Sequence, residues 1–335
     1  MKIFNKDTSK DLVVIAEIGV NHKGSIDWIL NMLPQIKDSG ADAIKFQLFT
    51  PDLYSTRSNT SKYKQISAFY ISEKDFLLIK KSCDSIGLPV FATPVSHDWV
   101  KFIAEACGVV KIASGDFTFA PTIDASLNSS AQLIISSGAT SRDEVSAFVE
   151  LAKQIRPGNA YFETIAMLHC ISSYPPPLEE SNLSAITDLK KITELTIGFS
   201  SHFLEDAPIY TALALGARIF EIHITDDRSR NDIRDHSLSR TPAELKNVVS
   251  SLKSLNLSLS SGIKAIQKSE EGSINAMRKG IVYSKKLSSG HKLMADDLNF
   301  ARPLNPEFPN TDYVIGRRLK RNVEAFFPIV KEDLE

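Results

Sequence analysis

The chain has 335 residues and a formal net charge of −1, from 39 Lys and Arg against 40 Asp and Glu. Such a balance offers no field for nucleic acid or an anionic membrane surface, and no apolar run approaches the roughly 18 residues a membrane span needs. Cys83, Cys107 and Cys170 are widely spaced with no C-x-x-C pair, which argues against a disulfide or zinc framework. The polar start MKIFNKDTSKDL lacks the apolar core of a signal peptide, so a cytoplasmic location is expected.

Eight short apolar runs follow in order: 13–19, 43–49, 90–95, 109–114, 133–138, 166–172, 196–201 and 219–225. Each is nearly continuous in apolar residues, as parallel strands covered on both faces require. Amphipathic stretches separate most of them, at 27–39, 73–86, 142–155 and 205–215, and 242–255 adds a helix after the last run. Gly40, Gly87 and Gly216 stand where helices should end. Eight βα units predict an α/β fold, a (β/α)8 TIM barrel spanning 1–260. The polar, serine-rich stretch 261–277 reads as a linker. Short β-like runs broken by Gly, Pro and Asn then predict a small β-rich domain over 278–335. A domain of that size is expected to lean on a partner surface.

Active sites of such barrels gather at the C-terminal ends of the strands, and the polar residues cluster there. The first run carries Glu17, followed by Asn21 and His22. The second carries Lys45 and Gln47, two apart and so on one face. Thr93, Lys111, Ser114 with Asp116 beyond it, Ser136, Ser172, Tyr174, Ser200, His202, Glu221 and His223 follow at successive run ends. A lysine inside an apolar strand needs an anionic partner or it loses its proton. One explanation is a structural ion pair, for instance Lys45 with Glu17. The other is a dianionic ligand held by both lysines and the surrounding hydroxyls, an arrangement that suits phosphate. His202 and His223 end adjacent strands, so their imidazoles can converge on a divalent ion such as Mn2+, Mg2+ or Co2+, with positions open to substrate. His169 is expected to pack in the core, His22 to shape its loop or touch substrate, and His97 carries no signal. Asp235 and His236 sit in a charged loop expected to lie over the barrel mouth.

At these residues the sequence resembles the sialic acid (N-acetylneuraminate) synthases and their legionaminic and pseudaminic acid relatives. The likeness runs through Ala16-Glu17-Ile18-Gly19-Val20-Asn21-His22-Lys23-Gly24, Lys45-Phe46-Gln47, Thr93-Pro94 and Lys111-Ile112-Ala113-Ser114-Gly115-Asp116. It continues through Ser136-Ser137-Gly138, His169-Cys170 to Tyr174-Pro175, Gly198-Phe199-Ser200 with His202, and Glu221 with His223. Each motif alone is weak; all of them in order, each at a strand end, are specific. The resemblance implies phosphoenolpyruvate contacts at Lys45, Lys111, Ser114, Ser136 and Ser200, and metal ligation by His202 and His223. It implies sugar contacts from Gln47, Tyr174 and Asp235, and makes the C-terminal domain an antifreeze-like (SAF) domain that covers the partner's barrel in a domain-swapped homodimer. Arg302, in Arg302-Pro303, then meets the sugar's N-acyl group. The chain departs from the family pattern at Val95, Ser172, Ser201, Ile222 and Arg234, several of which are expected near the sugar.

The implied reaction condenses phosphoenolpyruvate with an N-acylated hexosamine and water to a nine-carbon 2-keto-3-deoxy acid and phosphate. Glu17 is the first candidate for proton handling and Asp116 the second. Alternatives are a Schiff-base aldolase using Lys45 or Lys111, a related synthase acting on a phosphosugar, and a non-catalytic sugar-binding homologue.

Overall fold

The structure, a computed structural model, describes residues 1–335 apart from 231, 261, 305 and 306. The chain divides into two compact units, Met1–Ser260 and Ser261–Glu335. The first contains the expected closed barrel of eight parallel strands: β1 (Val13–Gly19), β2 (Ala43–Leu48), β3 (Val90–Pro94), β4 (Val109–Ile112), β5 (Gln132–Ser136), β6 (Ile165–His169), β7 (Thr196–Ser201) and β8 (Ile219–His223), with β8 closing on β1.

Because successive side chains in a strand face opposite ways, each strand feeds two cores. Val14, Ala16, Ile44, Phe46, Val110, Ile112, Leu133, Ile135, Phe220 and Ile222 pack outward against the helices. Val13, Ile15, Ala43, Phe91, Val109, Ile134, Ala166, Leu168 and Ile219 fill the barrel interior. A short hairpin, Lys2–Ile3 with Lys6–Asp7, stops the interior at the N-terminal end of the strands; Ile3 joins that core and the Phe4 ring lies 5.3 Å from Phe91. Apolar filling therefore occupies the lower barrel, and the polar residues of the same inward-facing rows are left at the C-terminal mouth.

The helices start where the sequence supplies caps. Ser141 with Glu144, and Thr241 with Glu244, form reciprocal capping boxes ahead of Arg142–Ile155 and Pro242–Leu259. Gly40, Gly87 and Gly216 adopt positive φ at the expected helix ends. Several strands are shorter than their apolar runs. After β4 the chain turns into a 3-10 segment, Ser114–Asp116, and after β6 the run Tyr174-Pro175-Pro176-Pro177 cannot continue a hydrogen-bonded ladder. Ser114 thus opens a 3-10 segment, and Ser172 and Tyr174 sit on a loop, none of them on a strand. An unanticipated excursion after β2 contains the helices Pro51–Tyr54 and Thr60–Phe69. Only Ile66 and Phe69 of the latter are buried, too few to leave a period in the sequence.

In the second unit, β9 (Gly280–Tyr283) pairs antiparallel with β10 (Leu298–Ala301) over a core that includes Ile281, Tyr283, Leu293, Val314, Leu319 and Ile329. The stretch read as a linker contains a short helix, Glu271–Met277. Among the described residues no helix is long and apolar enough to cross a membrane.

Arg156, at the end of Arg142–Ile155, is buried with no carboxylate partner among the described residues. Its guanidinium donates to the carbonyls of Ser126, Leu127, Ser129 and Ala131 and to Thr164 Oγ1, all at 2.8–3.0 Å. Arg156→Met would leave those carbonyls without their donor. It is expected to lower unfolding free energy by about 3 kcal/mol or more, seen as a fall in the urea midpoint.

Candidate active site

Strand register assembles the centre of the site. Across β8, β1 and β2, His223 lies beside Glu17 and Glu17 beside Lys45; across β7 and β8, Ser200 lies beside Glu221. All of these positions face inward at the mouth. The Lys45 ammonium is 2.8 Å from Glu17 Oε2 and 3.7 Å from Glu221 Oε2, and donates to Thr93 Oγ1 at 3.0 Å. Lys111 is 3.9 Å from the same Glu221 oxygen and donates to Ser136 Oγ at 2.5 Å. Ser200 donates to Glu221 Oε1 at 2.8 Å, and Gln47 Nε2 to Glu17 Oε1 at 3.3 Å. The result is an alternating chain, Glu17–Lys45–Glu221–Lys111, each member at most 4% exposed.

Burial alone would neutralise these groups. Desolvation raises the pKa of Glu17, and Lys45 offsets this only in part. For Glu221 desolvation is outweighed by the two ammonium groups, so it stays well below the usual carboxylate range. Desolvation likewise opposes the charge on Lys45, but Glu17 and Glu221 together push its pKa up. Lys111 has one close carboxylate rather than two, and burial pushes its pKa down.

The cluster forms the floor of an inner cavity of about 270 Å³, walled by Thr93, Val95, Ser114, Ser136, Cys170, Ser172, Tyr174, Ser200, His202 and His223. Gly138 is tightly held beside it. A Cβ there would fall 2.7 Å from both Ser114 Oγ and Cys170 Sγ, and the Gly138 N–H donates to Ser114 Oγ at 3.1 Å. The His202 and His223 rings are 5.3 Å apart. His202 uses Nδ1 on the Ile171 carbonyl at 2.8 Å, which leaves Nε2 free; burial and the neighbouring His223 lower its pKa to about 4. His223 Nδ1 is buried without a hydrogen-bond partner among the described residues, 3.8 Å from Asp235 Oδ2. A neutral imidazole and an orphaned ring nitrogen fit a divalent ion. Among the described residues no group of three or more His, Cys, Asp or Glu converges as a metal site, so water or substrate oxygens would complete the coordination.

A second cavity of about 410 Å³ shares Gln47, Tyr54 and Tyr174 with the first, and is walled further by Lys62, Ile66, Phe69, Asp232, Arg234 and Asp235. The excursion after β2 and the loop after β8 supply this outer chamber. Gly24 lets the β1 loop close under it: φ is +80°, and a Cβ would collide with the Ala68 carbonyl.

The structure thus brings together Glu17, Lys45, Gln47, Thr93, Lys111, Ser114, Ser136, Ser172, Tyr174, Ser200, His202 and His223, with Asp235 in the outer chamber. Asp116 is not on either wall; it lies on the 3-10 segment beyond Ser114, where burial raises its pKa to about 6. Arg302 belongs to the second unit. The structural ion pair expected as one explanation of Lys45, with Glu17, is present. His169 packs outward, its ring 6.1 Å from Phe199 and its Nε2 2.9 Å from the Ser181 carbonyl. Two departures expected near the sugar need correction: Ile222 and Ser201 lie on neither cavity wall, and Ile222 faces the helix layer. Val95, Ser172 and Arg234 do line the cavities. Glu221, which the sequence places at its run end without a role, holds a central place between the two lysines. Its position two before His223 on one strand puts it on the same inward face, and that spacing is the signal that could have given it a role. Tyr54 and Lys62 have none, because their helices carry little periodicity.

A closed barrel with paired lysines, hydroxyls and imidazoles at its mouth is an enzyme scaffold of the anion-handling kind. Residues 32–264 match the NeuB family and residues 278–335 the SAF domain, so the chain belongs to the NeuB family, that of the sialic acid synthases. Among curated relatives, an uncharacterized protein of Methanocaldococcus jannaschii is 33% identical over 96% of this chain and 94% of its own length. The N,N'-diacetyllegionaminic acid synthase of Legionella pneumophila is 29% identical over 98% of this chain and 96% of its own. The crystal structure of an N-acetylneuraminic acid synthetase from Leptospira borgpetersenii, in complex with citrate, superposes with a TM-score of 0.74 at 31% identity, covering 79% of this chain and 90% of that one.

Two outcomes follow from the electrostatics. Glu221→Gln would leave Lys45 with Glu17 alone and Lys111 with no carboxylate in ion-pair range among the described residues. The variant should lose about 3–5 kcal/mol of stability, and inorganic phosphate should restore part of its melting temperature while moving the parent protein less. His22, buried with Nδ1 accepting from the Gly24 N–H at 2.9 Å, is held near pKa 4 by desolvation against 6.5 when unfolded. The unfolded chain therefore binds a proton at this residue that the folded chain refuses, so its contribution is present above pH 6.5 and lost as pH falls toward 4. His22→Asn, which keeps an acceptor, should lessen the fall of the melting temperature across that window, leaving the part that the equally depressed His202 contributes.

Proposed function

We propose that this chain is a nonulosonic acid synthase that condenses phosphoenolpyruvate with an N-acylated hexosamine and water, releasing phosphate. The observation that carries this reading is the pair of buried lysines flanked by Ser114, Ser136 and Ser200 in the inner cavity, facing two imidazoles and opening to an outer chamber large enough for a sugar. Lys45, Lys111 and the hydroxyls hold the phosphate and carboxylate of phosphoenolpyruvate. Gln47, Tyr174 and Asp235 orient the open-chain sugar, so that C3 of phosphoenolpyruvate meets its aldehyde carbon. That carbon–carbon bond forms, water adds at C2, and the tetrahedral carbon expels phosphate to leave the keto group. Glu17, whose burial favours its protonated form, supplies the proton to the former aldehyde oxygen. A divalent ion held by His202 and His223, Mn2+ in the first instance, adds Lewis-acid polarisation of that oxygen when bound. We place the enzyme in the cytoplasm from its polar start; by family resemblance it works as a domain-swapped homodimer, in which Arg302 reaches the N-acyl group of the sugar in the partner's barrel.

A second reading has one observation in its favour. The lowered pKa of Lys111 is what a Schiff-base aldolase would need. The two separate cleanly. A panel of N-acylated hexosamines with phosphoenolpyruvate and Mn2+ should release phosphate and give a product of the mass that the condensation requires, with His202→Ala and His223→Ala each lowering kcat by about 100-fold or more. Borohydride trapping of pyruvate on Lys111, with no phosphate release, would establish the aldolase. No turnover with any acceptor would mark a sugar-binding homologue.

A further inference from the structure

The outer chamber carries a charge arrangement that the proposed chemistry does not use. Tyr54 and Tyr174 wall both cavities, and each bears a cation that lines the outer cavity alone. The Arg234 guanidinium lies 4.3 Å from the Tyr174 ring centre, and Lys62 Nζ 5.8 Å from that of Tyr54. Tyr174 in turn stacks on His202, ring centres 4.1 Å apart. Arg234 therefore sits at the far end of a guanidinium–phenol–imidazole column that begins at the reacting centre.

The carboxylates of the same chamber do not neutralise these cations. Asp232 is ion-paired to Lys23, which lies outside the cavity wall, and is 3.6 Å from His236. Asp235 lies between His223 Nδ1 and Arg234 Nε, 3.8 Å from each. Arg234 thus meets its one carboxylate through Nε, loosely, and the two terminal nitrogens of its fork have no partner among the described residues. Lys62 has no carboxylate within ion-pair distance among the described residues. A planar fork stacked on an aromatic ring is preorganised for a carboxylate or phosphate, and stacking on the phenol holds it without consuming its donors.

We propose that Lys62 and Arg234 are specificity-determining residues that select an acceptor sugar carrying an anionic group at the end remote from its aldehyde, either a phosphate ester or a uronic carboxylate. This rests on the synthase reading of the inner site and defines the acceptor that reading leaves open.

The full chain is titrated calorimetrically with N-acetylmannosamine, its 6-phosphate and the corresponding uronate, at low and high ionic strength, with phosphate release from phosphoenolpyruvate followed in parallel. One or both anionic sugars should bind about tenfold or more tightly than the neutral one, with the advantage shrinking as salt rises. Arg234→Gln and Lys62→Gln should each reduce the ratio, and the double variant should bring it near one while melting as the parent does. The better anionic ligand tells phosphate ester from carboxylate. Equal or tighter binding of the neutral sugar overturns the proposal, and so does an anionic preference indifferent to both substitutions. If anionic sugars bind through Arg234 but none of the sugars elicits phosphate release, the synthase reading falls and the selectivity stands. Turnover confined to the neutral sugar does the reverse: it upholds the synthase and overturns the selectivity.

Discussion

A strand in a closed barrel has two faces and no edge, and successive residues must choose between them. That alternation governs the rest of this molecule. It sends Val14, Ala16, Ile44, Phe46, Phe220 and Ile222 to the helix layer while Ile15, Ala43, Phe91 and Ile219 fill the interior. The apolar filling stops below Glu17, Lys45, Lys111 and Glu221, so these four inherit a space without bulk water. A lone charge in such a place is costly. Four of alternating sign are tolerable because each has an opposite neighbour, and the strand register fixes the order in which they meet.

The same alternation explains how much can be read from residues alone. Eight apolar runs of the right length are enough for the barrel, since parallel strands are apolar on both faces and leave a strong signal. The inward rows are legible where polar residues two apart break an apolar run, as with Lys45 and Gln47. Glu221 obeys the same rule, but a motif that pairs it with His223 shows its place and not its role between the two lysines. Ile222 and Ser201 look like sugar contacts because they interrupt a motif, although adjacency in a strand means opposite faces. Motif position is a one-dimensional quantity, and a site on a strand is read at every second residue.

What sequence does not disclose lies on the loops. The helices Pro51–Tyr54 and Thr60–Phe69 bury little and so leave no period, yet they bring Tyr54, Lys62, Ile66 and Phe69 to the outer chamber. The Arg234–Tyr174–His202 column joins residues 174, 202 and 234 through three different loops. No spacing rule connects them. Arg156 is similar: its guanidinium closes on a turn some thirty residues upstream, and nothing in its sequence neighbourhood announces a buried cation.

The charge chain on the barrel floor also has a consequence for the solvent. Two lysines and two glutamates sum to zero, so an arriving anion enters a site that is already balanced. Its charge must be met by protons as well as by displaced side chains. Glu17 is where such a proton would settle, since burial has already raised its affinity and a negative neighbour would raise it further. Ligand capture in this barrel is thereby tied to the acidity of the medium, and each molecule bound draws on the buffer as well as on the protein.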